Sequence, residues 1–200
     1  LELTELQSNV VGAKLGEDAI HTSLLAGVIG LAIVALIMIL VYRFPGVVSV
    51  LALCAYTILM VLCLNLFDVT LTLPGIAGIL LSIGMAVDAN VIIFTRIKEE
   101  ITTGKTVPVA VQAGFKKALS AILDGNITTL IAAAVLWFMA SGSVKGFAQT
   151  LALGILLSMF SALVITKMLL NAFIQLGVTN PKFYGTISER KPHDYVKNSK

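Results

Sequence analysis

Charged residues are scarce in this chain. Only 12% of its 200 residues are Asp, Glu, Lys or Arg, whereas 58% are hydrophobic. Soluble domains carry a charge on about a quarter of their residues, so the composition excludes an ordinary soluble domain. The strict alternation of apolar and polar residues that marks barrel strands is also missing. Long apolar runs are present instead, and they predict a membrane protein built from helices.

Residues for metal, redox or covalent chemistry are few as well. Cys54 and Cys63 are the only cysteines, and they lie too far apart along one apolar stretch to form a disulfide. His21 and His193 are the only histidines and lie near opposite ends of the chain. The sequence contains no Walker-type glycine loop, no HExxH and no CxxC. We therefore predict no enzyme activity, no catalytic residue, no cofactor and no metal site.

Five apolar stretches are long enough to cross a bilayer, which takes about 20 residues of helix. They cover residues 23–42, 47–66, 71–94, 119–140 and 147–166. We expect an all-α bundle of five spans over residues 23–166, with a loop at 95–118. Because the chain begins without Met, we expect a fragment of a longer protein, in which residues 1–22 form an extracytoplasmic segment before the first span. Residues 167–200 are expected to form a tail, mobile beyond Gly177.

The basic residues are distributed unevenly between the loops. The loop from 95 to 118 carries five of them, namely Arg96, Lys98, Lys105, Lys116 and Lys117. With five spans, twelve Lys and Arg residues fall on one side of the membrane, and only Lys14 and Lys145 fall on the other. The positive-inside rule then predicts an N-terminus outside and a C-terminus in the cytoplasm. This distribution explains the net charge of +3 without a nucleic-acid partner.

The same loop contains a helix signal. Thr106 followed by VPVAVQAGFKKAL predicts a helix start with Pro108 in its first turn and basic residues on one side. We expect a short interfacial helix that leads into the fourth span. An ordinary basic loop that only fixes the topology is the alternative.

Two carboxylates lie inside the predicted spans. Asp88 precedes Thr95 by seven residues in the third span, and Asp124 follows Lys117 by seven residues in the fourth. Seven helical residues measure about 10 Å, so both carboxylates are predicted at one depth. A charge there costs about 2.5 to 3.5 kcal/mol on insertion, which makes such residues rare and often functional. A hydrogen-bonded structural carboxylate is the alternative for each, and for Asp124 a cap near the membrane surface.

Polar residues accompany both carboxylates. Asn90 follows Asp88, and Asn126, Thr128 and Thr129 follow Asp124. Such amides and hydroxyls can hold water or pass protons. A low dielectric and a second carboxylate both favour the neutral form of a carboxyl group. We therefore predict that Asp88 and Asp124 handle protons and that these four residues form their polar surroundings.

Small residues form a stripe along the third span. Gly75, Gly78, Ser82 and Ala86 recur at spacings of three and four, which keeps them on one helix face. Stripes of this kind allow close contact between membrane helices. We predict that these four residues pack against another span, since common small residues alone do not explain the regular spacing.

Two long stretches resemble the SecD/SecF family of protein-export membrane proteins. LTLPGIAGILLSIGMAVDANVIIFTRIKEEI, residues 71–101, resembles the family's fourth span. GFKKALSAILDGNITTLIAAAVLWFMASGSVKGFAQTLALGILLSMFSAL, residues 114–163, is similar to the last two spans of the SecD branch. VGAKLG, residues 11–16, is a weaker match. The SecF branch has Arg in place of Asp124, and the family usually has an acidic residue in place of Thr95.

The resemblance implies a function and partners. It implies an accessory subunit of the Sec translocase that uses the proton-motive force to promote export of secretory proteins across the bacterial cytoplasmic (inner) membrane. The implied partners are SecF, the SecYEG translocon, secretory preproteins reached through the missing outer domain, and the lipid bilayer. The implied fold is one incomplete half of the pseudo-symmetric transmembrane domain of the RND superfamily. Asp88 is implied as its key proton-handling carboxylate.

Two other functions are compatible with the sequence. A purely structural membrane subunit would use the small-residue faces to hold partners together. An RND-type exporter would couple proton flux to transport of small molecules or lipids. The sequence does not decide whether Asp88 and Asp124 are in contact, whether the fragment folds or conducts protons alone, how many protons move, or whether SecF is a separate chain.

Overall fold

The computed structural model describes residues 13–178 and 180–184. Within these residues every regular element is helical. The elements are α1 (Ala13–Tyr42), α2 (Phe44–Leu66), α3 (Leu73–Thr102), α4 (Val107–Met139), α5 (Ser143–Phe160), a π turn (Ser161–Ile165), α6 (Thr166–Gln175) and a short 3₁₀ helix (Pro181–Tyr184). The α5, π turn and α6 segments run on as a single span, so five helices are long and apolar enough to cross a membrane. The predicted segment 1–22 and the predicted tail lie partly outside the described residues.

Proline in the first turn begins three of these helices. Pro45 opens α2, Pro74 opens α3 and Pro108 opens α4. A first-turn N–H has no partner inside the helix, so its loss costs nothing there. Thr72 also caps α3, because its hydroxyl accepts a hydrogen bond from the Gly75 N–H at 3.1 Å. The predicted cap Thr106 precedes α4 with an extended backbone, but its side chain makes no capping hydrogen bond.

Helices α3, α4 and the fifth span continue further than we expect from the sequence. The predicted loop 95–118 is mostly helical, because α3 runs to Thr102 and α4 begins at Val107. The helix that begins after Thr106 is not a separate interfacial helix, because α4 runs unbroken from Val107 to Met139. Past the predicted end of the fifth span, α6 continues as far as Gln175, and Lys167 lies over the Phe115 ring at 5.9 Å. Beyond it, Tyr184 is buried beside Phe44. The chain after residue 166 is therefore packed against the bundle for part of its length.

Helix α3 lies at the centre of the bundle, with α5 and α4 as its main neighbours. In the most apolar part of α3, 39% of the residues are buried, compared with 6% in the most apolar part of α1. Helix α1 packs on α2 and α3 and presents most of its apolar side chains outward. Lipid can cover such a surface, since apolar side chains need no protein partner in a bilayer.

The small residues of α3 line its contact with α5. The structure places Gly75, Gly78, Ser82 and Ala86 on the buried face of α3. The Thr150 hydroxyl of α5 reaches across the contact and donates to the Gly75 carbonyl oxygen at 3.0 Å. Close approach of the two backbones makes this bond possible, as expected where small residues meet between membrane helices.

A second hydrogen bond ties α2 to the same contact. The Tyr56 hydroxyl lies 2.7 Å from Ser82 Oγ, and both side chains are buried. Gly154 of α5 faces Ser82 directly, and a Cβ added at Gly154 would overlap it. Three helices therefore meet at Ser82.

A buried carboxylate joins α3 to α4 at the end of the bundle that carries most of the basic residues. The last turns of α3, beyond its apolar part, hold Glu100, which is 2% exposed. Its carboxylate accepts hydrogen bonds from Lys105 and Lys117. These two bonds, led by the one from Lys105, hold the pKa of the Glu100 carboxyl below its ordinary value. The clamp fixes the end of α3 against the start of α4, where Gly114 also lets Ile97 approach closely.

We predict that Gly78→Ala destabilises the bundle. A Cβ at this position would overlap the Thr150 hydroxyl and lie 3.0 Å from the Phe147 carbonyl oxygen. Overpacking of this kind costs about 1 to 3 kcal/mol. Gly84→Ala on the same helix is the matched control, because nothing lies within 4 Å of its Cβ position. It should leave stability unchanged or raise it by up to about 1 kcal/mol. Thermal unfolding of both variants in detergent tests this, and equal melting temperatures would contradict the packing described.

Candidate functional site

Asp88 lies beside a cavity between α3 and α4. The cavity has a volume of about 140 Å³. It is lined on the α3 side by Met85, Asp88, Ala89 and Ile92, and on the α4 side by Ala121, Ile122, Gly125, Asn126 and Thr129. The buried stripe of α3 faces α5. Asp88 lies on another side of the same helix, where it lines the cavity shared with α4. The carboxylate itself is exposed in this chain.

Helix α4 supplies the polar side chains opposite Asp88. Asn126 and Thr129 both line the cavity. The Asn126 Nδ2 donates to the Ile122 carbonyl oxygen at 2.7 Å, and the Thr129 hydroxyl donates to the Gly125 carbonyl oxygen at 3.1 Å. The Asn126 Oδ1 and the Thr129 hydroxyl oxygen are able to accept hydrogen bonds at the same time. A neutral carboxyl group at Asp88 could donate to either.

Asp124 lies on another side of α4. It is exposed and is not among the residues that line the cavity. Residues 121, 125 and 129 follow one face of α4, and at about 100° per residue Asp124 leaves the helix well away from that face. Thr128, one turn further along, donates its hydroxyl proton to the Asp124 carbonyl oxygen at 2.9 Å. Within the described residues no hydrogen bond joins Asp124 to Asp88.

Asn90 also faces away from the cavity. It is 2% exposed, and its Oδ1 accepts a hydrogen bond from the Thr166 hydroxyl at 2.9 Å. Two residues turn a helix by about 200°, so Asn90 and Asp88 leave α3 on opposite sides. The structure thus brings together Asp88, Asn126 and Thr129, and it leaves Asn90, Asp124 and Thr128 elsewhere.

Asp88 is the ionisable side chain among the described residues that line the cavity. No Lys or Arg side chain is among its lining residues. Within the described residues, no group of three His, Cys, Asp or Glu side chains is placed to hold a metal ion. A lone carboxylate beside an amide and a hydroxyl, with room for a few water molecules, can bind and release a proton.

Sequence reasoning missed several buried polar residues, among them Glu100 and Thr166. Glu100 had no predicted role, although its spacing from Ile93 and Ile97 places it on the buried face of α3. Thr166 was treated as the end of the fifth span, although it bonds to Asn90. Helical periodicity could have indicated the first residue. Nothing in a single sequence indicated the second.

Comparison with known proteins identifies the family. The family described as "Protein export membrane protein SecD/SecF, C-terminal" matches residues 2–175. The protein translocase subunit SecD of Acidaminococcus fermentans is 52% identical over 186 residues, which are 92% of this chain and 45% of that protein. The SecD of Synechocystis is 52% identical over 165 residues, 82% of this chain and 35% of that protein. The chain therefore spans less than half the length of these relatives.

A solved structure has the same fold. The crystal structure of SecDF from Thermus thermophilus, described as a translocon-associated membrane protein, matches with a TM-score of 0.81 and 41% identity. The match covers 84% of this chain and 23% of that one. It confirms the predicted five-span, all-α membrane architecture. Together, the family match and these relatives show that the chain belongs to the SecD/SecF family of protein-export membrane proteins and matches the C-terminal region of that family.

Proposed function

We propose that this chain is the membrane part of an accessory subunit of the Sec translocase, which uses the proton-motive force to promote export of secretory proteins. Three facts support the proposal. The chain belongs to the SecD/SecF family, its relatives are named protein translocase subunit SecD, and α3 carries a carboxylate in its apolar part, beside a cavity. The third is the observation on which the mechanism depends.

In the proposed mechanism Asp88 changes between a charged and a neutral form. The charged carboxylate keeps water in the cavity between α3 and α4, because a charge in a span needs water or a partner. The neutral carboxyl donates a hydrogen bond to Asn126 or Thr129 and no longer needs that water. Helix α4 can then pack more closely on α3. Protonation is converted in this way into a movement between two helices.

The proton gradient is large enough for such a change. Each elementary charge that crosses the membrane yields about 2.3 kcal/mol per 100 mV. A buried hydrogen bond and a few displaced waters involve energies of about 1 to 2 kcal/mol each. The two quantities are of the same size, so one proton could shift the equilibrium between two packings of α3 and α4.

Asp124 is included in the proposal as a second carboxylate. Residue counting predicts about the same depth for Asp124 as for Asp88. Asp124 lies on a surface of α4 that this chain leaves exposed. A carboxylate there requires cover, since lipid cannot solvate it. We propose that another part of the assembled translocase covers it, with SecF, the SecYEG translocon and secretory preproteins as the partners.

Replacing Asp88 by Asn in the full-length protein tests the mechanism. Asn keeps the size of the side chain but cannot exchange a proton, so we expect export into membrane vesicles to lose its response to the proton gradient. Glu99→Gln is the control, because Glu99 lies on the same helix beyond the apolar part and is 51% exposed beside Arg96. Asp124→Asn should give a smaller loss. Full gradient stimulation in the Asp88→Asn protein would refute the mechanism.

Two measurements distinguish the other two functions. A purely structural subunit would require Asp88→Asn to weaken co-purification with SecF, whereas we expect assembly to be normal. An RND-type exporter would show proton flux in proteoliposomes of the unchanged protein that depends on a small molecule or lipid and needs no translocon.

We also propose that the basic end of the bundle faces the cytoplasm. Twelve of the fourteen Lys and Arg residues fall on that side by topology. After replacement of Cys54 and Cys63 by Ala, a cysteine at Gly104 should resist a membrane-impermeant maleimide applied to intact cells. A cysteine at Ser141, in the opposite loop, should react. The reverse pattern of labelling would overturn this orientation.

A further inference from the structure

A π turn interrupts the fifth span in the middle of the bundle. Residues Ser161–Ile165 form it, between α5 and α6. In a π turn each N–H bonds to the carbonyl five residues before it, so the helix contains one extra residue at this point. Here the Thr166 N–H bonds to the Ser161 carbonyl oxygen. Such turns are rare and are often found at functional sites.

Buried polar groups connect the π turn to two other helices. The Ser161 hydroxyl donates to the Ala52 carbonyl oxygen of α2 at 3.0 Å. The Thr166 hydroxyl lies 2.9 Å from Asn90 Oδ1 of α3 and 3.3 Å from the Ser161 carbonyl oxygen. Ser161, Thr166 and Asn90 are each 3% exposed or less. The turn is thus tied to α2 at its start and to α3 at its end.

The Thr166 hydroxyl has one proton and two acceptors on different helices. When it donates to Asn90, it ties α6 to α3. When the Asn90 amide is rotated by 180°, its Nδ2 donates to the Thr166 oxygen, and Thr166 donates to Ser161 within its own turn. The heavy atoms support both arrangements, which differ in the contact that holds the π turn.

Asn90 brings this network close to the proposed proton site. It lies two residues after Asp88 on α3 and on the opposite side of that helix. A rotation or shift of α3 that moves Asp88 in its cavity therefore also moves Asn90 against Thr166. The fifth span can adjust to that movement at the π turn. Because the turn contains one extra residue, its N–H groups can change from one carbonyl partner to the next along the helix.

We propose that Asn90 and Thr166 are positioning residues that connect the helix of Asp88 to the π turn, and that the π turn is the joint at which α5 and α6 follow the movement of α3. This inference rests on the proposed function. It adds a pathway from the proton site to the helix on the far side of α3.

Deleting Val164 from the full-length protein tests the joint. Without one residue of the turn, the Thr166 N–H would stand four residues after Ser161 and bond to it as in a regular α-helix. The faces of α5 and α6 would then keep their orientation, and Val164, 47% exposed, leaves no gap in the core. We expect normal co-purification with SecF, unchanged export without a gradient, and at least about a five-fold loss of gradient-stimulated export, the lower end of typical coupling between sites.

Deleting Leu156 from the regular part of α5 is the matched control. Leu156 is also exposed, at 56%, but its removal rotates every later residue by about 100°. We expect this protein not to assemble. A Val164 deletion that exports like the wild type, or one that fails to assemble like the Leu156 deletion, would overturn the proposal.

Thr166→Val and Asn90→Leu, alone and combined, test the link. Thr166→Val leaves the buried Asn90 Oδ1 without its donor and should lower the melting temperature. Asn90→Leu leaves Thr166 its bond to Ser161 and should lower it less. The double change removes both partners and should recover much of the loss of Thr166→Val. Thr57→Val is the control, since within the described residues the Thr57 hydroxyl bonds in its own helix, to the Leu53 carbonyl oxygen. We expect gradient-stimulated export to stay low in the double variant although stability returns. If export returns together with stability, the pair is merely structural and the proposal fails.

Asp88→Asn, measured in parallel, distinguishes failure of the inference about the π turn from failure of the proposed function. If it abolishes gradient stimulation while the Val164 deletion and the double variant do not, the inference fails and the proposed function stands. If Asp88→Asn keeps gradient stimulation, the proposed function fails, and the inference fails with it.

Discussion

A charged side chain inside a bilayer must be given water or a partner, and in the function we propose α3 meets that requirement at Asp88. One side of α3 is a seam of small residues that lets α5 approach closely. Another side presents Asp88 to a cavity shared with α4. The close contact holds α3 in place, and the cavity leaves space for the charge. If the seam were bulkier, α3 would have no fixed rotation, and the carboxylate would have no fixed environment.

The remaining helices support this arrangement of α3. The Glu100 clamp with Lys105 and Lys117 joins one end of α3 to α4, so the movement we propose at the cavity would take place beside a tied end. Behind α3, Tyr56 bonds to Ser82 and Thr166 bonds to Asn90. These bonds tie α2 and the fifth span to α3. Polar contacts within the apolar bundle are thus concentrated on the helix that carries the carboxylate.

Much of this fold was predictable because hydrophobic length and proline position are local signals. The five spans, the helix start with Pro108 in its first turn and the family membership follow from the sequence. Counting residues from the charged ends gives a common depth for Asp88 and Asp124, which stays a prediction. Direction around each helix axis was not predictable, since it depends on which face finds a partner. For this reason Asp124 and Asn90 lie outside the cavity, whereas Asn126 and Thr129 line it. The π turn was not predictable at all, because an extra residue leaves no mark in one sequence.

The most direct test of the proposed mechanism is the protonation of Asp88 itself. Infrared difference spectra of the full-length protein in proteoliposomes, recorded as the pH on one side is lowered, report the carbonyl stretch of newly protonated carboxyl groups. We predict that such a band appears in the wild type, disappears in Asp88→Asn and persists in Glu99→Gln. A wild-type protein without the band, or an Asp88→Asn protein that keeps it unchanged, would contradict the assignment of Asp88 as the residue that binds the proton.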